Sequence, residues 1–582
     1  MAYTYEWDFS RLYKNRNDFE SDIKEFDVFT KKIVDLQGRL NNRADILNYL
    51  AICEKAMQKL SRLEIYVMLR LDKDTTNAQN LKDYERVMKL ATTYSVKTAF
   101  VQPELAKNSD DFLNELINDS ELKAYSRVFE SILKEKPHTL SKEKEELLAG
   151  IGEFTDYSEI FEKLTGVEIP FKDVVVNGVA EKLNDATYSK FIKSKDENVR
   201  RQAYENLLEG FSKYNLTLSQ CLISHLKKRD FLAKTYNYES VLSQSLFNEE
   251  VNETVFNNLI KTVNNNLSLY QKYLKKKAKV LGKKKLYASD INAPLGEMRS
   301  LNLNYEDAVN FVLDLVSVFG EDYKSVASEM FVNGSIDVYP KEGKRSGGYS
   351  ASGQIGEHFI LLNYNNSYFD FSTIAHELGH SMHSYYSEKN QPYFNQDYVI
   401  FVAEIASTVN EVLLAKKLLK QAKTDEERTF VADSLLSEFC ASVFRQTMFS
   451  EFELYTNNAI NKEIPLSFEE LNNEYSKLQS KYFKDAVQLS EFSKYEWSRI
   501  PHFYRNFYVY KYATGFISAV AIAKQIEEGG LDYVENHYKK FLSAGSSADP
   551  ISILKLANVD ITTDEPYQKA FQYFDELIEL IK

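Results

Sequence analysis

Along most of this chain apolar residues recur every three to four positions, which is the spacing of one face of an α-helix. The pattern is clear in RADILNYLAICEKAMQKLSRLEIYVMLRL (43–71) and again in the following stretch up to Pro103. Residues 1 to 150 therefore predict successive amphipathic helices. The pattern breaks at TGVEIPFKDVVVNG (165–178), where β-branched residues, a proline and a closing Asn-Gly predict a hairpin. Helical spacing resumes at 186 and runs to 280. KKKLYASDINAPLG follows as a loop, and helices continue to 330. A second β patch spans 334–366. In it HFILLNY reads as a strand, preceded by a flexible Gly/Ser-rich loop, GKRSGGYSASG. From 372 to the C-terminus the chain is helical again, with loops near 388–397, 462–466 and 544–550. No repeat of 20–50 residues shares a signature, so a solenoid is not expected.

Composition narrows the class. Only 20 Gly and 10 Pro occur in 582 residues, which supports a mostly α protein. The length exceeds one core, so at least two domains are expected. The hairpin marks a division into an N-terminal helical region, 1–185, and a second domain, 186–582. A net charge of -13 argues against a nucleic-acid partner. The local basic run YLKKKAKVLGKKK (273–285) reads as a solvated helix end and loop. No segment has the run of apolar residues that a membrane span needs, and the first residues show no secretory pattern. Three scattered cysteines, Cys53, Cys221 and Cys440, suit a reducing compartment, so the expected location is cytoplasmic.

The chemistry concentrates in FDFSTIAHELGHSMHSYYS (369–387), which holds three of the eight histidines. Ser372 or Thr373 would cap a helix here. On that helix His376 and His380 are about 40° apart around the axis, so both imidazoles can face one ion. Glu377 is turned about 100° from His376. It flanks the ion, where it can take a proton from a metal-bound water. A catalytic zinc needs a third protein ligand and an open position. A metzincin would place a histidine at 386, which is Tyr. His383 is then a packing residue or one supporting the ligands. Glu404 sits in the apolar run VIFVAEIA, where a carboxylate needs a cation nearby. Glu411 lies on nearly the same helix face. It could hydrogen-bond a ligand histidine, or be an ordinary polar residue.

FSTIAHELGHSMH followed by FVAEIASTVNE resembles the metal-binding core of the thimet-oligopeptidase-like metallopeptidases, and in particular the oligoendopeptidase F family. YEWDFSRLY, IPFKDVVVNG, LYASDINAPL, IDVYPKEGKRSGGYS and RIPHFYRNFYVYKYATG are similar to that family in the same order. The resemblance implies a two-lobed, mostly α metallopeptidase with a small β-sheet beside the HExxH helix and a deep substrate channel. It implies one Zn2+ per chain on His376, His380 and Glu404, with Glu377 as general base and acid. It implies a substrate-facing His502 and transition-state-stabilising tyrosines among Tyr508, Tyr510 and Tyr512. Of these Tyr508 and Tyr512 are favoured for catalysis, and Tyr510 for substrate binding. Gly347, Gly348 and Tyr349, in the loop before HFILLNY, are expected to close over a peptide, and the strand's edge to pair with it. The expected activity is zinc-dependent oligoendopeptidase hydrolysis of internal bonds in short unstructured peptides. Whether the chain is a monomer or a homodimer is left open. A peptide-binding scaffold on the same fold would need a broken motif, and all four residues are intact. A gluzincin aminopeptidase would carry a G-x-M-E-N segment, which is absent. Carboxypeptidase action within the wider superfamily stays open.

Overall fold

The computed structural model describes residues 3–152, 156–298, 301 and 303–582. About 71% of the chain is helical. Among the described residues there are seven short strands: β1 (Val174–Val176), β2 (Val179–Glu181), β3 (Leu286–Tyr287), β4 (Ile336–Asp337), β5 (Tyr349–Ala351), β6 (Phe359–Leu361) and β7 (Val487–Gln488). No helix among the described residues is long and apolar enough to cross a membrane.

The chain forms two compact units, each from three stretches. Unit 1 takes 1–137, 302–414 and 522–559, and unit 2 takes 138–301, 415–521 and 560–582. This differs in kind from a single cut at 185. Each unit closes its core with segments far apart in sequence, which local periodicity does not reveal.

In unit 1 the sheet has the order β4-β6-β5, with β4 parallel and β5 antiparallel to β6. Strand alternation sends Phe359 and Leu361 to one face. There they pack with Trp7, Phe19, Leu63 and Val67 from the N-terminal helices. The Trp7 indole N–H donates to the Ile360 carbonyl at 3.0 Å, fastening the N-terminal segment to the sheet. HFILLNY therefore supplies the central strand, not an edge. The edges are β4 and β5, and at β5 the Ser350 backbone N–H donates to the Glu377 carboxylate.

The Gly/Ser-rich loop is also less free than its composition implies. The Gly343 carbonyl accepts from the Thr75 N–H at 2.7 Å, and the Arg345 N–H donates to Asp72 at 2.8 Å. Asn363 donates to the carbonyls of Arg345 and Gly347. Asn363 crosses from the strand segment to do this, a contact that composition does not show.

In unit 2 the predicted hairpin is present but lies later than expected, with its strands at Val174–Val176 and Val179–Glu181, and Leu164–Glu168 is helical. Asn177 (φ 50) and Gly178 (φ 81) are both left-handed, as a two-residue turn of the primed type requires. The segment after Lys285 is not a plain loop: β3 pairs with β7, and Asp290 is buried against Arg200 and Lys283. The basic run is only partly solvated. Lys277 is fully buried, with Nζ 3.1 and 3.3 Å from the Asp433 carboxylate oxygens. Asp433 also accepts from the Tyr273 hydroxyl at 2.7 Å and the Leu295 N–H at 3.1 Å. Its helix spacing places Lys277 on the inward face, where sequence alone read only charge.

Removing one member of such a buried pair leaves an uncompensated charge, at a cost of about 3–5 kcal/mol. Lys277→Met is therefore expected to lower the thermal midpoint of unfolding. Adding Asp433→Leu should recover part of the loss, because both charges then leave the interior. A midpoint unmoved by Lys277→Met would mean the pair contributes nothing to stability.

Candidate active site

The HExxH helix runs from Tyr368 to Asn390. Its cap is Ser367 rather than Ser372 or Thr373. The Ser367 hydroxyl accepts from the Asp370 N–H at 3.1 Å, and Asp370 accepts from the Ser367 N–H at 3.1 Å. This reciprocal box starts the helix four residues earlier than expected, with Asp doing what Glu or Gln usually does. Thr373 lies inside the first turns and donates to the Phe369 carbonyl.

The second helix, Ile400–Gln421, lies antiparallel to the first. The contacts run in opposite senses along the two: Ala375 meets Asn410, and Gly379 meets Ser407. A Cβ at Gly379 would stand 2.6 Å from Ser407 Cα and 2.9 Å from the Ala406 carbonyl oxygen. The Asn410 amide, fully buried, donates to the Ala375 carbonyl at 2.8 Å. Neither residue was singled out from sequence. An isolated glycine in a helix interior costs about 1 kcal/mol and signals a packing reason, and Gly379 was legible on that ground.

This approach brings together three side chains that could hold a metal ion. The His376 and His380 Nε2 atoms are 3.2 Å apart, and Glu404 Oε2 is 3.5 and 3.6 Å from them. The three ligand atoms lie within 4.8 Å of one another. Ligands about 2.0–2.1 Å from a tetrahedral zinc would be separated by about 3.3–3.4 Å, so the donor set fits that ion. Glu404 is half-buried rather than enclosed; its apolar neighbours face the core and the carboxylate faces the histidines. Glu411 Oε1 is 3.2 Å from His376 Nδ1, so the far side of the ring is held as well.

The electrostatics agree. Burial alone would disfavour a charged His376, yet hydrogen bonds to Glu404 and Glu411 hold its pKa well above the ordinary value. Carboxylates that favour a proton there also favour a cation. Burial, with His376 nearby, pushes His380 down to about 4. Burial pushes Glu377 up to about 7; the His376 charge opposes this, and Glu404 and Glu411 add to it. His383 is fully enclosed, stacked on Tyr398 at 3.8 Å, and burial lowers it to about 3. It is a packing residue.

A cavity of about 440 Å³ opens on this group, with His376, Glu377 and Glu411 in its wall. Gly347 and Gly348 line it too. A Cβ at Gly348 would stand 2.9 Å from Thr373 and 3.5 Å from the Glu377 carboxylate. Tyr349 is turned elsewhere: its hydroxyl donates to Asp72 at 2.8 Å.

The remaining predicted residues belong to unit 2. His502, Tyr508 and Tyr512 are all half-buried and form one aromatic cluster. His502 lies 6.1 Å from each tyrosine ring, and the two tyrosines are 5.4 Å apart. Tyr510, expected to bind substrate, is instead enclosed at 1% exposure, edge-on to Phe256. Helical spacing turns it inward where Tyr508 and Tyr512 stay accessible.

A helix pair presenting HExxH and a following glutamate, beside a small sheet, defines the architecture of a helical metallopeptidase. Residues 190–573 match the sequence model of peptidase family M3, and residues 104–171 that of oligopeptidase F. The chain is 37% identical to Oligopeptidase PepF of Bacillus subtilis, covering 96% of this chain and 84% of that protein. It is 36% identical to an oligoendopeptidase F homolog of Borreliella burgdorferi, covering 99% and 98%. The crystal structure of oligoendopeptidase-F from Enterococcus faecium superposes with a TM-score of 0.74 at 30% identity, covering 97% and 98%. A solved Chlamydophila abortus protein superposes at 0.93 with 33% identity, covering 99% and 97%. The chain belongs to the oligoendopeptidase F branch of peptidase family M3.

Gly379→Ala tests the close approach. Overpacking of this kind costs about 1–3 kcal/mol. The variant should lower the thermal midpoint and weaken metal binding together, because Glu404 rides on the helix that must move. An alanine variant with unaltered stability and metal affinity would show that the helices have room to spare.

Proposed function

We propose that this protein is a zinc-dependent oligoendopeptidase that hydrolyses internal bonds of short unstructured peptides. The observation that carries this reading is the convergence of His376, His380 and Glu404 on one point, with Glu377 in the wall of the same cavity. One ion per chain is proposed, held by those three residues, with Glu411 fixing the His376 ring. When bound, zinc supplies a Lewis acid that lowers the pKa of water and polarises a carbonyl.

The protein's own groups do the rest. Glu377 takes a proton from the attacking water and passes it to the leaving amine. Burial raises the proton affinity of this carboxyl, which suits a group that must accept a proton and then give it up. An extended peptide can pair with the outer edge of β5, which no strand among the described residues covers. Gly347 and Gly348 keep that approach clear. His502, Tyr508 and Tyr512 are proposed to stabilise the negative charge that develops on the scissile oxygen. The cavity's size suits part of an extended chain rather than a folded surface, in keeping with a restricted channel. The linear division at 185 is retained as a family-level boundary, supported by models that fall on either side of it. A cytoplasmic workplace is proposed on the strength of three free, buried cysteines.

Glu377→Gln should keep its zinc and lose about 10²–10⁴-fold in turnover, measured on an internally quenched oligopeptide with bound metal determined in parallel. Unchanged turnover would remove Glu377 as the base. Mass spectrometry of the wild-type products should show cleavage at internal bonds; trimming of terminal residues alone would replace the endopeptidase reading with an exopeptidase one.

Glu404→Ala should lower zinc occupancy at a fixed free-metal concentration. Full occupancy with normal activity would mean the third ligand lies elsewhere.

A further inference from the structure

Among the described non-glycine residues with positive φ, Phe507 (φ 48) is the one that is buried. A bulky side chain in this region is an outlier, and such strain persists only where its surroundings impose it. Phe507 immediately precedes Tyr508. The backbone there must turn sharply before the helix that begins at Tyr510 and carries Tyr512.

Three contacts within unit 2 hold this corner. The Phe507 ring sits edge-on to Phe256 at 5.6 Å. The Asn506 side chain lies between His225 and Arg229. The Phe507 N–H donates to Glu453 Oε1. Glu453 belongs to the helix Gln446–Asn461 and is 3% exposed. Its other oxygen, Oε2, has no hydrogen-bond partner. Lys511, the cation that pulls on it, is paired with Glu249 instead. Burial pushes the Glu453 carboxyl up to about 8, against the pull of the Phe507 N–H and Lys511. A buried acid with no cation of its own is an expensive packing residue. Its one side-chain hydrogen bond is with the strained backbone.

We propose that Glu453 is a positioning residue: by accepting the Phe507 N–H it holds the left-handed corner that sets where Tyr508 and Tyr512 stand. The proposal rests on the reading that these tyrosines act on the substrate. Displacing a reacting group by about 1 Å can cost about 100-fold in rate, so the corner controls kcat without touching the peptide.

The test uses the full, zinc-loaded chain and an internally quenched oligopeptide. Glu453→Gln keeps an acceptor of the same shape, and Glu453→Met removes it. The Met variant should lose about 10- to 100-fold in kcat with KM and zinc content little changed, while the Gln variant stays close to wild type. In a Tyr508→Phe, Tyr512→Phe background, Glu453→Met should add little further loss. If the Met variant does not fold, Glu453→Asp, one methylene shorter, withdraws the acceptor while keeping the acid, and the same kcat loss is expected. Normal kcat in the variants lacking the acceptor, with the tyrosine variants impaired, would overturn the positioning role and leave the tyrosine reading intact. Equal losses in Gln and Met would also overturn it, since the acceptor would then not matter. Tyrosine variants with unchanged kcat would overturn the tyrosine reading, and the positioning role with it.

Discussion

At Gly379 the HExxH helix meets the Glu404 helix backbone to backbone, with no side chain between them. Helices separated by ordinary side chains lie about 8–10 Å apart, too far for short groups on both to reach one ion. The fully buried Asn410 amide bonds across the same seam to Ala375, one residue before the first histidine. The seam thus sets the spacing of the ligands on both helices at once. Histidines at i and i+4 supply one face; the antiparallel partner supplies Glu404 opposite that face and Glu411 behind His376. Each of these contacts depends on the close approach, which requires a residue without a Cβ.

Concentrating carboxylates in this seam has an electrostatic consequence. Burial raises the pKa of the Glu377 carboxyl, and the neighbouring charges of Glu404 and Glu411 add to it. A cation held by His376, His380 and Glu404 would offset that negative charge, so donor geometry and charge balance ask for the same thing. Glu377 differs from Glu404 in direction: one helix residue on from His376, it faces the cavity rather than the donor cluster. The helix that carries the proposed ligands thereby also places the proposed proton acceptor beside them, with no extra structure needed.

How much of this was legible depended on range. HExxH, the Asn-Gly turn and the glutamate in an apolar run are local patterns, and each appears where it was read. What was missed involves partners distant in sequence. The strand HFILLNY has the composition of an exposed edge or a centre alike; pairing with Ile336 and Asp337 on one side and with Tyr349–Ala351 on the other decides it. Lys277 reads as one more lysine until Asp433, 156 positions on, is placed beside it. Ser367 was passed over because its partner in the capping box is Asp370. Tyr510 was grouped with Tyr508 and Tyr512 because sequence proximity does not report which side of a helix start is enclosed.

The buried acids of this protein show how burial separates structural from functional groups. Asp433 accepts from Lys277, Tyr273 and the Leu295 N–H, so its interactions account for its presence. Glu453 has one hydrogen-bond partner, a backbone N–H in a strained corner, and an oxygen without any. Glu377 is enclosed yet borders open space. A fold needing only stability would replace the last two with apolar residues of similar size, because burying a carboxyl without full compensation is costly. Their retention in the interior points to what each faces: the cavity for Glu377, and for Glu453 the turn that presents two half-buried tyrosines. The same reasoning leaves Asp433 as a stability element, since Lys277, Tyr273 and the Leu295 N–H satisfy its carboxylate.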